Sequence, residues 1–263
     1  MTGVIRIPPV LLAEWTKLRS VRSTAWTLLL TVALSAGLAA AAGLSLRASF
    51  ATMAPAQRRA YDPLFATFYG LTVGQLALVA FGVLAIGSEY RSGTIRLSLA
   101  AVPRRGRFYA SKAAAVTLIA LAVSVLTVAV TFLTARAALG PHGASPGSPG
   151  SAQAALGACL YLTLICLLGL GLATLLRSSA LALGILLPVL FLDGQGLGNV
   201  PGLNAVLRYF PDQAGMVIMH LAAPPGHGRF SRPYGPWAGL ALMLAWTTAA
   251  LLLGYLRLAR SDA

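Results

Sequence analysis

The sequence predicts an all-α integral membrane protein with six transmembrane helices, and three observations carry that expectation. Of 263 residues, 57% are hydrophobic and only 10% are charged, where a soluble domain has roughly a quarter of its residues charged. Mean hydropathy is +0.78. The apolar residues also gather into six runs, parted by short basic or Gly- and Pro-rich stretches. Buried helices in a soluble protein need polar faces to cover them, and this sequence does not supply those faces.

The net charge of +14 would suggest nucleic acid in a soluble protein. Here the basic residues sit beside apolar runs, without a separate basic domain or interleaved aromatics, so nucleic acid is not expected. Charge flanking membrane spans is the simpler account.

The chain opens on Pro8-Pro9-Val-Leu-Leu-Ala-Glu-Trp-Thr-Lys-Leu-Arg-Ser20. The tandem proline suits a helix start, and Leu11, Trp15 and Leu18 share one face while Glu14 and Lys17 lie on another. This predicts an amphipathic helix within residues 1–24, lying on the inner leaflet. The first run follows, with 24 uncharged residues between Arg22 and Arg47. It spans about 36 Å, enough to cross a hydrocarbon core of about 30 Å. It is longer than a signal-peptide core and is expected to be retained.

The second run is Leu64 to Gly87. Its Gly70-Leu-Thr-Val-Gly74 gives a small-xxx-small surface suited to close helix packing, a pattern chance also supplies in a chain so rich in Ala and Gly. After it comes a patterned stretch, residues 88–112. Gly93 can end the span, and Thr94 can cap a short helix closed by Pro103, with Ile95, Leu99 and Val102 on one face. Glu89 is expected at the membrane boundary amid Arg91, Arg96, Arg104 and Arg105, where ion pairs can fix the segment.

The third run is Ala113 to Ala135, and the Gly-, Ser- and Pro-rich stretch 140–151 reads as a flexible outer loop. The fourth run, Ala154 to Leu176, holds both cysteines, Cys159 and Cys166. They lie about 10 Å apart along a helix, too far for a bridge within it. The fifth run, Ala180 to Leu192, has only 13 residues before Asp193. At about 20 Å it does not cross a bilayer. Either Asp193 lies near the outer interface of a longer helix, or the segment is a half-helix entering a re-entrant stretch, with a kink expected at Pro188. The sixth run is Gly235 to Leu256.

With both termini inside, residues 1–24, 88–112, 177–179 and 257–263 hold 13 of the 20 Lys and Arg in 59 residues, against seven in the 77 residues of 47–63, 136–153 and 193–234. The positive-inside rule requires that bias. Residues 1–263 are thus read as one membrane domain in the cytoplasmic membrane.

No phosphate-cradling Gly-x-x-x-x-Gly-Lys-Ser/Thr motif, His-Glu-x-x-His helix or Cys-x-x-Cys pair is present. His142, His220 and His227 lack ligand-type neighbours at metal spacing. The chain is expected to bind no cofactor and to catalyse nothing itself. Carboxylates are nearly absent from the spans, which argues against an ion-coupled carrier.

Glu14-Trp-Thr-Lys-Leu-Arg-Ser-Val-Arg-Ser-Thr24 resembles the opening of actinobacterial permeases of the type-2 ATP-binding-cassette export family. Glu89-Tyr-Arg-Ser-Gly-Thr-Ile-Arg96 with Pro103-Arg-Arg-Gly106 resembles the family's segment after span 2, and Arg208-Tyr-Phe-Pro-Asp-Gln-Ala214 its stretch before the last span. The resemblance implies six spans, a homo- or heterodimer of permeases, and two ATPase subunits that bind the ATP on the cytoplasmic side. It also implies that Glu14, Trp15, Lys17, Glu89, Tyr90, Arg91, Gly93, Thr94, Arg96, Arg104 and Arg105 couple to the ATPase. Residues 193–234, with Asp193, Pro211 and Asp212, would form a re-entrant outer region. An apolar route suits a hydrophobic or amphipathic cargo. The main rival is a non-transporting polytopic membrane protein, an immunity or scaffold subunit, which needs no ATPase.

Overall fold

The structure, a computed structural model, describes residues 9–20, 22–194, 204–222 and 232–260. Every regular element among them is helical: α1 (Pro9–Ser20), α2 (Arg22–Ser49), α3 (Pro55–Arg59), α4 (Pro63–Phe68), α5 (Leu71–Ser92), α6 (Thr94–Ala101), α7 (Arg105–Leu139), α8 (Ser151–Leu176), α9 (Ser179–Gly194), α10 (Asn204–Leu207), α11 (Pro211–Ile218) and α12 (Pro236–Arg260). Among the described residues five helical stretches are long and apolar enough to cross a membrane: Arg22–Thr52, Pro63–Ser92, Arg105–His142, Ser151–Leu176 and Pro236–Arg260. The fifth of the six apolar runs becomes α9, 16 residues long, or about 24 Å. Pro188 lies inside α9 without ending it. The side chain of Asp193 lies outside the described residues, as do those of Leu11 and Leu18.

α5 and α8 form the centre. Their apolar stretches are 72% and 67% buried, against 22% for those of α2 and α12. α8 packs on α5, α7 and α12, while α2 packs on α5 and α7. The outer helices turn large apolar side chains outward: Trp26, Leu29, Leu30 and Leu34 on α2, Leu118, Leu126 and Leu133 on α7, and Trp237, Leu252 and Leu253 on α12. On a soluble protein such continuous apolar faces would be an aggregation liability; in a bilayer they face a solvent of the same polarity. Thr27, Thr31, Thr117, Thr127, Thr163 and Thr174 each return their hydroxyl to the carbonyl four residues earlier. That satisfies the hydroxyls inside their own helices.

Close approach is bought with small residues. A Cβ on Gly74 would overlap Ser35 Oγ of α2, and one on Gly82 would overlap the carbonyl oxygen of Cys166 on α8. The Gly70–Gly74 surface is therefore a packing face against α2. Polar bonds add to it: Tyr161 of α8 donates to Gln75 Oε1 of α5 at 2.5 Å, and Gln75 Nε2 donates to the Thr72 carbonyl at 3.0 Å.

Contacts also fix which helix ends meet. Glu14 of α1, the C-terminal end of α5, the first turns of α7, the α8–α9 turn and the last turn of α12 gather at one end, through Lys112–Glu14, Lys112–Glu89, Gly87–Ser179 and Arg105–Leu258. At the other end Phe50 stacks on His142, whose carbonyl accepts from Tyr61 at 2.9 Å. The 140–151 loop there is held by serines: Ser145 N donates to Ser148 Oγ at 3.0 Å, and Ser151 Oγ donates to the Ser145 carbonyl at 3.0 Å. α11 is buried along its whole length and packs on α8, α9 and α12.

Candidate functional site

The sequence contains only two glutamates and two lysines, its other cations all being arginine, and all four meet at the α1 end of the bundle. Lys112 of α7 is fully buried. Its Nζ donates to Glu14 Oε2 of α1 and, at 2.7 Å, to Glu89 Oε1 of α5. Lys17 of α1 donates to the same Glu89 oxygen at 2.5 Å. Lys112 also lies over the Phe108 ring, 5.3 Å from its centroid. Two carboxylates and two ammonium groups leave the cluster formally neutral, which is what permits its burial. Lysine suits the centre because a compact ammonium with three donors can serve two carboxylates at once, where a planar guanidinium favours one in a fork.

The local sequence builds this arrangement. Pro9 opens α1, and Glu14 and Lys17, three residues apart, project toward the same neighbours. Gly93 ends α5 in the left-handed conformation, φ 71°, with its N–H on the Tyr90 carbonyl, and the same residue caps α6. Thr94 is the first residue of α6 rather than its cap; its hydroxyl pairs with Ser92 Oγ at 2.9 Å. Ile95 and Leu99 are buried and Val102 packs against the core, so α6 lays its apolar face on the bundle. Leu97 points away and is 72% exposed. α6 ends at Ala101, just before Pro103.

The structure pairs Glu89 differently from the expectation that placed it among arginines. Glu89 is 2% exposed, and its ion pairs run inward to Lys17 and Lys112. Arg91, Arg96 and Arg104 are exposed. Arg105 turns to α12, where its Nη1 donates to the carbonyls of Leu258 at 2.8 Å and Ala259 at 3.3 Å. It caps the end of that helix, where carbonyls lack intrahelical partners. Trp15 packs against the core and Tyr90 is half-buried at the end of α5.

Lys112 was not among the residues singled out from the sequence. α7 begins at Arg105, so Lys112 lies two turns inside the helix rather than in a loop before it. The signal was the pairing of composition: two glutamates and two lysines, each beside a span, in a chain otherwise using arginine.

At the opposite end Pro211 and Asp212 open α11 and are buried. Gln213 Nε2 donates to Asp212 Oδ2 at 2.9 Å, and Arg232 Nε donates to Gln213 Oε1 at 2.8 Å. Gly215 lies under the Tyr161 ring, which a Cβ there would overlap. These contacts seat α11 between α8 and α12. Among the described residues no group of three or more His, Cys, Asp or Glu side chains is placed to hold a metal.

Residues 10–193 match the family described as ABC-2 family transporter protein. The match begins in α1 and ends in α9, so it takes in all four members of the ion cluster. No curated protein matches the chain.

Proposed function

The chain belongs to the ABC-2 transporter family, and on that premise we propose that it is the membrane-spanning permease subunit of an ATP-binding-cassette exporter. It moves a hydrophobic or amphipathic cargo outward across the cytoplasmic membrane, as one domain with both termini cytoplasmic. A separate ATPase subunit supplies the energy, and two permeases, identical or not, form the pathway. Residues 193–234 form its re-entrant outer region, with α11 as the part wedged among the spans.

The observation that supports this reading best is the ion cluster. It ties α1, a helix too short to span a bilayer, to the ends of α5 and α7, the helices flanking α6. A force applied by a partner to α1 or α6 therefore reaches two spans through buried contacts. In this reading the coupling residues divide by burial. Arg91, Arg96 and Arg104, with Leu97, face the ATPase. Glu14, Trp15, Lys17, Glu89 and Tyr90 carry its motion inward, Gly93 and Thr94 set the angle of α6, and Arg105 anchors α12 to the same lever. ATP binding closes the ATPases, moves α1 and α6 as rigid arms, and opens the permease interface outward.

The test is ATP turnover by the assembled complex in nanodiscs. Leu97→Asp and Glu89→Ala should each lower cargo-stimulated turnover while membrane insertion stays normal. A scaffold or immunity subunit would carry both substitutions without loss, and unchanged turnover in both would remove the coupling assignment.

A further inference from the structure

At the same end of the bundle, the ends of α5, α8 and α12 and the start of α6 enclose a pocket of about 350 Å³. Its apolar side is Ile95, Leu99 and Leu258; its polar side is Tyr90, Arg96 and Arg177. The volume is many times what one water needs. Among the described residues no carboxylate lines it, since Glu89 is turned to Lys112 and Lys17.

Two features give this pocket a preference for negative charge. The first is two guanidinium groups without a paired acid among the described residues. The second is the start of α6, an eight-residue helix whose N-terminus has no side-chain cap and no acidic residue in its first turn; Gly93 and Ile95 from that turn line the pocket. The N–H of Gly93 is taken by the Tyr90 carbonyl and that of Arg96 by the Gly93 carbonyl, and the dipole of the helix start still favours an anion. The features of opposite sign nearby among the described residues are occupied: the carbonyl end of α12 by Arg105, and Glu89, whose charge acts on Tyr90, by Lys17 and Lys112.

We infer that this pocket binds a phosphate-bearing anion, with Arg96 and Arg177 as its charged contacts. Guanidinium forks match phosphate oxygens. The apolar side would be unused by free phosphate but fits the glycerol and first methylenes of a phospholipid, and basic pockets between helices at a cytoplasmic membrane face are suited to anionic head groups. The inference rests on the proposed orientation only for the leaflet that would supply such a lipid; the site itself needs no ATPase.

The experiment uses the purified full chain, read by native mass spectrometry for retained ligand and by thermal midpoint. Phosphatidylglycerol, phosphatidylcholine and inorganic phosphate are the probes. Phosphatidylglycerol should be retained over phosphatidylcholine, and Arg96→Gln and Arg177→Gln should each weaken that retention by about tenfold, the scale of one lost charge-assisted contact. Arg107→Gln, at the same end but outside the pocket, should leave it unchanged. Protection by inorganic phosphate alone, lost in the same variants, would keep the site and make its ligand a free phosphate. Because Arg96 is exposed, its variant should fold even if that of Arg177 does not. Retention by Arg96→Gln equal to wild type, or no preference for either anion, would overturn the inference.

Discussion

Lys112 reaches across the α7–α5 interface to Glu89, Nζ to Oε1 at 2.7 Å, with both side chains closed to solvent. The same ammonium holds Glu14 of α1, so one buried cation fastens the peripheral helix to the bundle.

Removing that cation should be costly. Lys112→Met leaves Glu14 without its ion-pair partner and Glu89 with only Lys17, and breaking a buried ion pair from one side costs about 3–5 kcal/mol. The Glu14→Gln, Lys112→Met, Glu89→Gln triple variant should recover most of the loss, because no net charge is then left buried. Thermal unfolding in detergent checks this. A triple variant less stable than Lys112→Met alone would contradict it.

Lys17 binds the same Glu89 oxygen, but its side chain is 40% exposed. Lys17→Ala should therefore cost only ~0–1 kcal/mol, as exposed pairs do. The same unfolding measurement should separate the two lysines clearly.

Gly82→Ala should push α5 from α8. The added methyl overlaps the Cys166 carbonyl oxygen, which is backbone and cannot turn aside. Overpacking of this kind costs about 1–3 kcal/mol. Gly184→Ala on α9 meets nothing within 4 Å and should be tolerated; comparing midpoints of the two variants tests the packing.

Arg105→Ala should loosen the end of α12. Its guanidinium serves the carbonyls of Leu258 and Ala259, and hydrogen bonds from charged donors contribute about 1.5–3 kcal/mol when buried and less at a surface. Hydrogen exchange should quicken in the last turn of α12 while the centre of α8 stays protected. Equal protection in wild type and variant would remove the capping role.

Much of the fold was legible because apolar length alone marks a span. Five runs fall within helices that meet the length and hydropathy of a span. The ends were less legible: a reading by apolar runs stops at the first charge, so α7 was clipped at Ala113 although it starts at Arg105. That clipping hid Lys112. Glu89 was assigned to arginines near it in sequence, whereas its partners lie 72 and 23 residues away, a separation that only packing brings together. α11 was illegible for a related reason. Pro211 and Asp212 were assigned only to a re-entrant outer region, and the enclosure of Asp212 and Gln213 shows only in the packing, with the Tyr161 ring over Gly215 and Arg232 on Gln213.

The most direct test of the central claim, a permease driven by a separate ATPase, is purification of the tagged chain from its native membranes with an ATPase assay on what co-elutes. A soluble subunit carrying a phosphate-cradling loop should co-elute, hydrolyse ATP and be lost from the complex when Leu97 is changed to Asp. A chain that reproducibly elutes with no nucleotide-hydrolysing partner, yet still moves cargo in reconstituted vesicles, would contradict it.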